Sequence, residues 1–167
     1  MAAAGVTLTL EAHELGAVER RLALAIEAIA KPRVLMDRVG AVLEASTRHR
    51  FRQGQSPEGT PWKPSVRAST RGGTTLIDKG RLRDSITHDA DDAKAVVGSN
   101  LIYAAIHQVG GVIRAKGGGF LKFNIPGVGW RQVRQVTIPA RPYLGVSEDD
   151  RTDMGAQVER FIAAAFA

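Results

Sequence analysis

The chain has no cysteine among its 167 residues. Disulfides, thiolate metal sites and cysteine nucleophiles are excluded together, and the absence fits a reducing compartment. Aromatic residues supply only 5% of the composition, which leaves the core to aliphatic side chains and a few large ring anchors. Long hydrophobic runs are missing as well. The richest, Leu22 to Ala30, contains Glu27 and ends at Lys31 and Pro32, far short of the roughly 18 apolar residues that a membrane span needs. Met1 to Leu10 lacks the basic start, apolar middle and small-residue cleavage site of a secretory signal in that order, so cytoplasmic synthesis is expected. The length, with 44% hydrophobic and 24% charged side chains, suits one domain over residues 1–167, stabilised by packing and by association.

Charge of one sign is scarce in blocks. Residues 116 to 147 hold five bases and no acid, residues 31 to 71 hold nine bases against three acids, and both ends of the chain are net acidic, within a total of +6. Such blocks attract phosphate backbones, yet a solvated basic face gives the same count.

The pattern of apolar residues predicts helices at both ends around a mainly antiparallel sheet, an α+β fold with extended loops or arms. A short strand is expected at Val6 to Leu10, then a helix over Glu11 to Ala30 with Leu15, Val18, Leu22, Ile26 and Ile29 as its core stripe. Pro32 opens a second helix that stops at Gly54. Residues 54–75 read as a loop or arm set by Pro57, Pro61 and Pro64 around Trp62, ending in the patternless Arg67 to Thr75. Strand-like pieces follow at Leu76-Ile77, Ser85 to His88 and Ala95 to Val97, then a short helix over Leu101 to Val109. Further strands are expected at Val112-Ile113, Phe120 to Ile125 and Gln132 to Ile138, with Gly117 to Gly119 as a hairpin tip. Ser147 caps a last helix whose acids Glu148, Asp149, Asp150 and Asp153 favour its start.

Little of this carries reactive chemistry. His13, His49, His88 and His107 lie in separate elements without the i, i+4 spacing of a helical metal clamp. No metal is expected. Tyr103 and His107 share a helical face, and a buried hydroxyl–imidazole hydrogen bond is the default reading. Asp89, Asp91 and Asp92 lack the further oxygen ligands of a calcium loop, and Gly117 to Gly119 leads into no Gly-Lys-Ser/Thr. No cofactor is expected. A hydrolase centred on His107 with Asp78 or Asp84 is a minor alternative.

Four strings carry a resemblance. Phe51-Arg52-Gln53 followed by Pro57-Glu58-Gly59-Thr60-Pro61-Trp62-Lys63-Pro64, then Leu76 to Ile86, then Tyr103 to Gly111, then Ile138 to Gly145, resemble in order the motifs of bacteriophage virion morphogenesis proteins, the tail-completion family. Lys79 departs from the small hydroxyl residue usual there. The resemblance covers roughly residues 33 to 165 and implies a noncatalytic virion component at the neck or tail end. On this reading the subunits form a ring around the DNA path, with six one option for their number. The partners implied are other copies of the chain and neighbouring neck and tail proteins. The place implied is the virion, assembled in the host cytoplasm.

Candidates for a basic surface facing DNA or protein partners are Arg48, Arg50, Arg52, Lys63, Arg67 and Arg71, then Lys116, Lys122, Arg131 and Arg134. Contacts to DNA would be to phosphate and indifferent to sequence. Anchor or interface candidates are Phe51, Trp62, Tyr103, His107, Arg141 and Tyr143. Arg141 suits a fixed salt bridge, either to a neighbouring subunit or within the fold. The alternative to a virion part is a free basic nucleic-acid-binding module.

Overall fold

The computed structural model describes residues 12–30, 32–125 and 127–166. The strand expected at Val6 to Leu10 lies outside them. Helix α1 (Ala12–Ala30) is followed by α2 (Arg33–Gln53), which ends with Gly54 in the left-handed conformation and its N–H on the Arg50 carbonyl. The last helix, α6 (Glu148–Phe166), packs on both. It starts from a reciprocal cap: Asp150 N–H donates to Ser147 Oγ at 3.1 Å, and Ser147 N–H donates to Asp150 Oδ2 at 2.7 Å.

Between these helices the architecture is α+β, as the sequence predicts, but the sheet is divided. Strands β1 (Ile86–Ala90) and β2 (Ala95–Ser99) form an antiparallel hairpin against α2. Strands β3 (Gly111–Arg114) and β6 (Gln135–Ile138) pair at the base of a ribbon, and β4 (Leu121–Ile125) pairs with β5 (Gly129–Val133) further along it. The expected strand Gln132 to Ile138 is thus two strands, broken at Arg134. On the opposite leg, residues 115–120 loop out, with Ala115 N–H on the Arg134 carbonyl at 2.9 Å and the Arg134 guanidinium 5.7 Å from the Phe120 ring centre. The glycine triplet is therefore a bulge on one leg and not a tip. The tip is the turn after Ile125, closed by Val128 N–H on the Ile125 carbonyl.

Three shorter expectations also change. The patternless stretch contains α3 (Val66–Arg71), because Ser65 Oγ caps it by accepting from Ala68 N–H at 3.2 Å. Leu76-Ile77 is turn, with Leu76 at φ 63°, so no strand passes there. A single turn, α4 (Arg81–Asp84), precedes β1, and α5 (Ala104–Val109) is shorter than the predicted helix.

The core is small and centred on Phe51, Trp62, Leu82, Ile86, Ala104 and Tyr143. In α2 the most buried positions are Gly40, Thr47, Arg50 and Phe51, while Leu35, Val39, Val42, Leu43 and Ser46, which recur at helical spacing, are half-buried. In α1 the departure is larger: Ala25 is buried, while the expected core residues Leu22, Ile26 and Ile29 are 53%, 60% and 59% exposed. Val18 and Leu15 fall outside the described side chains.

Candidate functional site

All four sequence strings converge on one place. The Phe51 ring meets Trp62 edge-on at 5.6 Å and Tyr143 at 5.0 Å between centroids. Trp62 Nε1 donates to the Pro142 carbonyl at 2.9 Å, and Tyr143 Oη donates to the Ala104 carbonyl at 2.9 Å. Gln108 then fastens the segment after Pro142: its Oε1 accepts from Tyr143 and Leu144 N–H at 2.9 and 3.0 Å, and its Nε2 donates to the Leu144 carbonyl at 3.0 Å. Leu82 and Ile86, from the second string, close the same core. The rigid Pro139 and Pro142 flanks hold this segment extended, so its backbone groups stand ready for side chains that reach in from other elements.

Arg141 is held within the fold by backbone carbonyls in place of the expected salt bridge. It is buried, donates from Nε to the Lys63 carbonyl at 2.9 Å, and donates its backbone N–H to the His107 carbonyl at 2.8 Å. It ties the Trp62 loop to the fold and meets no carboxylate among the described residues. Burial pushes its pKa below the usual guanidinium value.

Arg50 departs from the expected basic surface. It is 3% exposed. Its guanidinium pairs with Asp150 at the start of α6, donates to the Tyr143 and Gly145 carbonyls at 3.1 and 2.9 Å, and reaches Ser46 Oγ at 2.9 Å. The reason is helical geometry: Arg48 and Arg52 stand four apart on one face of α2, and Arg50 between them points the opposite way, into the core. Burial alone raises the Asp150 pKa, but hydrogen bonds from Ser46 and Ser147 and the Arg50 charge outweigh it and hold the carboxyl below its ordinary value.

Two more candidates are engaged within the fold. Arg48 bridges Glu44 at 3.0 Å and the Ile86 carbonyl at 2.8 Å. Arg67 donates to the Thr74 and Ile77 carbonyls, both at 2.6 Å, stapling the 65–77 loop. Arg52, Lys63, Arg71, Lys116, Lys122, Arg131 and Arg134 are exposed.

The tyrosine–histidine pair meets ring to ring rather than through the hydroxyl. Tyr103 and His107 stack edge-on at 6.1 Å, and His107 Nδ1 is buried without a hydrogen-bond partner. Burial, helped by the Arg141 charge, lowers the His107 pKa. The ring lines a cleft of about 480 Å³ that also touches Asp78, Lys79 and Arg81. Asp78 lies on its rim facing Arg67 at 3.9 Å, and Asp84 is paired with Arg83 at 2.6 Å. Neither is held against His107, so among the described residues these two carboxylates do not orient its ring. Among the described residues no cluster of three or more histidines and carboxylates is placed to hold a metal, and no helix is long and apolar enough to cross a membrane.

Sequence reasoning passed over a third group. His88 on β1 places Nδ1 2.7 Å from Glu44 and Nε2 3.4 Å from Asp37, both on α2. Gly40 makes this approach possible, because a Cβ there would stand 2.6 Å from His88 Cδ2. The spacing Asp37/Gly40/Glu44 marks one helix face, but nothing local to it points to His88.

The most distinctive residues of this small α+β domain thus bind its own backbone. The phage virion morphogenesis family model matches residues 13–163. The Mu-like prophage FluMu G protein 2 of Haemophilus influenzae is 32% identical over 150 residues, covering 90% of each chain. The putative capsid assembly protein G of Escherichia phage Mu is 29% identical, covering 95% of this chain and 90% of that one. No solved structure matches significantly. The chain belongs to the phage virion morphogenesis family, and its role is structural or in assembly.

Proposed function

We propose that the chain is a noncatalytic subunit of the phage neck or tail end, which completes the tail or joins it to the head as one member of a ring around the DNA path. The observation that carries this reading is the use made of the family strings: Phe51, Trp62, Gln108, Arg141 and Tyr143 lock one another and the backbone. On this reading function falls to surfaces. Arg52, Lys63 and Arg71 remain exposed and can meet phosphate or acidic partner groups. The protein works in the particle, after assembly in the bacterial cytoplasm, beside neck and tail proteins.

The test is a phage carrying a nonsense mutation in this reading frame. Heads and tails that accumulate unjoined, rescued by the wild-type chain and with the chain present in rescued particles by immunoblot, are the expected result. Normal infectious particles without the chain overturn it. The acid-free ribbon also supports a second reading, a free nucleic-acid-binding module. Salt-sensitive DNA binding by the isolated chain together with its absence from particles would favour that one.

A further inference from the structure

Cations without partners, apolar side chains and a constrained backbone meet in the cleft beside His107. It measures about 480 Å³ and is lined by residues of the 65–82 segment together with Tyr103 and His107. Lys79 and Arg81 stand on either side of Gly80, which at φ +78° lets the chain turn between them, and both line the cleft. Both are exposed, and among the described residues neither meets a carboxylate. Arg67 lines the cleft too, but it is held by the Thr74 and Ile77 carbonyls.

The apolar lining comes from Leu76 and Leu82 and from the Tyr103 and His107 rings. Leu76 has φ 63° and is the sole non-glycine with positive φ among the described residues. A bulky side chain is rarely held there. The two bonds from Arg67, to the carbonyls of Thr74 before it and Ile77 after it, fix it in that conformation. One acid, Asp78, stands on the rim 3.9 Å from Arg67, so positive charge is in excess. Burial and the Arg141 charge keep the His107 ring neutral, and it adds nothing to that excess.

We infer that this cleft is a docking site for an acidic peptide segment of a neighbouring virion protein. A carboxylate of the segment meets Lys79 and Arg81, and the apolar side chain next to it packs on Leu76 and Leu82 between the two rings. Phosphate or a DNA backbone answers the cations, but it leaves the apolar lining without a complement and meets Asp78 on the rim. A second copy offers the Asp89 to Asp92 turn, which has only Ala90 and Ala93 beside its acids, and Asp89 and Asp91 already accept N–H groups of that turn. Of the acids that open α6, Asp150 is buried and Glu148 pairs with Arg151. The inference deepens the assembly reading above and rests on it for the identity of the partner.

The test uses the isotope-labelled full chain in solution NMR, with N-acetylated, amidated tripeptides as probes. Glu-Phe-Glu and Asp-Leu-Asp are expected to shift the backbone amides of Lys79, Arg81, Tyr103 and His107 in a saturable way. Gln-Phe-Gln, without charge, and Glu-Ala-Glu, without a large apolar side chain, should bind roughly fivefold more weakly or worse. K79E/R81E should lose roughly tenfold or more in affinity. Both positions are exposed, and a thermal melt checks that the fold is kept. Leu76→Gly keeps the positive φ without a side chain and should lose the preference for Glu-Phe-Glu over Glu-Ala-Glu. No saturable shift at these amides, an equal response to inorganic phosphate, or a stronger one to a DNA duplex would each overturn the inference. Shifts that appear on concentrating the chain alone and vanish in K79E/R81E would give the cleft to a second copy and overturn it as well. Particles separate the docking site from the reading beneath it. A K79E/R81E phage that assembles and infects normally sinks the docking role alone, and peptide binding by a chain absent from particles sinks the virion role while keeping the acidic-peptide site.

Discussion

Arg50 and Asp150, a hundred residues apart in sequence, form a buried ion pair that fastens the end of α2 to the start of α6. Each partner is also committed elsewhere. Arg50 saturates the carbonyls of Tyr143 and Gly145, and Asp150 receives Ser147 N–H within its helix cap. One guanidinium thus joins α2, the extended segment after Pro142 and α6, which is why its neighbours Arg48 and Arg52 are poor guides to its role.

Removing one member leaves the other charge buried. Asp150→Ala is expected to destabilise the chain by about 3–5 kcal/mol, read from urea unfolding. The joint replacement Arg50→Met/Asp150→Leu should cost clearly less than the sum of the two single changes, because no orphaned charge remains. Equal additive losses would mean that the pair is not coupled.

The His88 contact makes stability depend on pH. The hydrogen bond from His88, aided by the Arg48 charge, outweighs burial and lowers the Glu44 pKa from 4.5, while the bonds to Glu44 and Asp37 outweigh burial and raise that of His88 from 6.5. The histidine contribution is complete below pH 6.5 and is lost as pH rises through the higher folded-state value. The glutamate contribution is complete above pH 4.5 and is lost as pH falls through the lower folded-state value. Thermal melts of wild type and Glu44→Gln should therefore differ most between these limits, narrow as pH rises through the His88 value while the Arg48 contact to Glu44 remains, and converge as pH falls through the Glu44 value. A difference that does not change with pH would show that the pair does not titrate as a unit.

What was legible in the sequence was local. Pro32, Gly54 and Ser147 mark helix ends through their own backbone and side-chain chemistry, so α1, α2 and α6 were readable to within a few residues. Ser65 was an equally local cap signal for α3, hidden by the absence of an apolar pattern behind it. Long-range partners were not legible. The spacing of Arg48, Arg50 and Arg52 shows that the middle one faces away from the others but not that Asp150 waits there. The α1 stripe has the periodicity of a core face, yet periodicity states only that one side prefers to leave water, not whether the cover comes from the same chain. The ribbon failed differently: β-period residues occur on both legs, but the unequal loop-out at residues 115–120 shifts the register, and hydrophobicity carries no trace of it.

Gln108 is the residue through which the third string holds the fourth. Gln108→Ala leaves the Tyr143 and Leu144 N–H groups without their shared acceptor, at an expected cost of about 2 kcal/mol. Gln108→Glu keeps both acceptor contacts and loses only the donation to the Leu144 carbonyl, so it should retain more stability at neutral pH. Denaturant midpoints of the two variants decide this; equal losses would show that acceptance is not the main contribution.

Gly110, which ends α5, is the point of closest backbone approach in this region. Its φ is +73°, and a Cβ there would lie 2.7 Å from Ala140 N and 3.0 Å from the Ile138 carbonyl. Both neighbours are backbone, fixed by the β3–β6 ladder and by the Arg141 N–H bond to the His107 carbonyl, so neither can rotate aside. With ψ at 179° Gly110 lies in an extended region that essentially only glycine adopts, so Gly110→Ala combines backbone strain of roughly 1–3 kcal/mol with a displacement of the 138–141 segment, for an expected total of about 3 kcal/mol or more. Gly117→Ala serves as the control. At φ 60° and ψ 32° it is left-handed, and a Cβ there meets nothing within 4 Å, so it should show only left-handed strain of roughly 1–2 kcal/mol. A Gly110→Ala chain that melts with the Gly117→Ala chain would mean that the segment after Ile138 yields freely, and the tight junction of the third and fourth strings would lose its claim to rigidity.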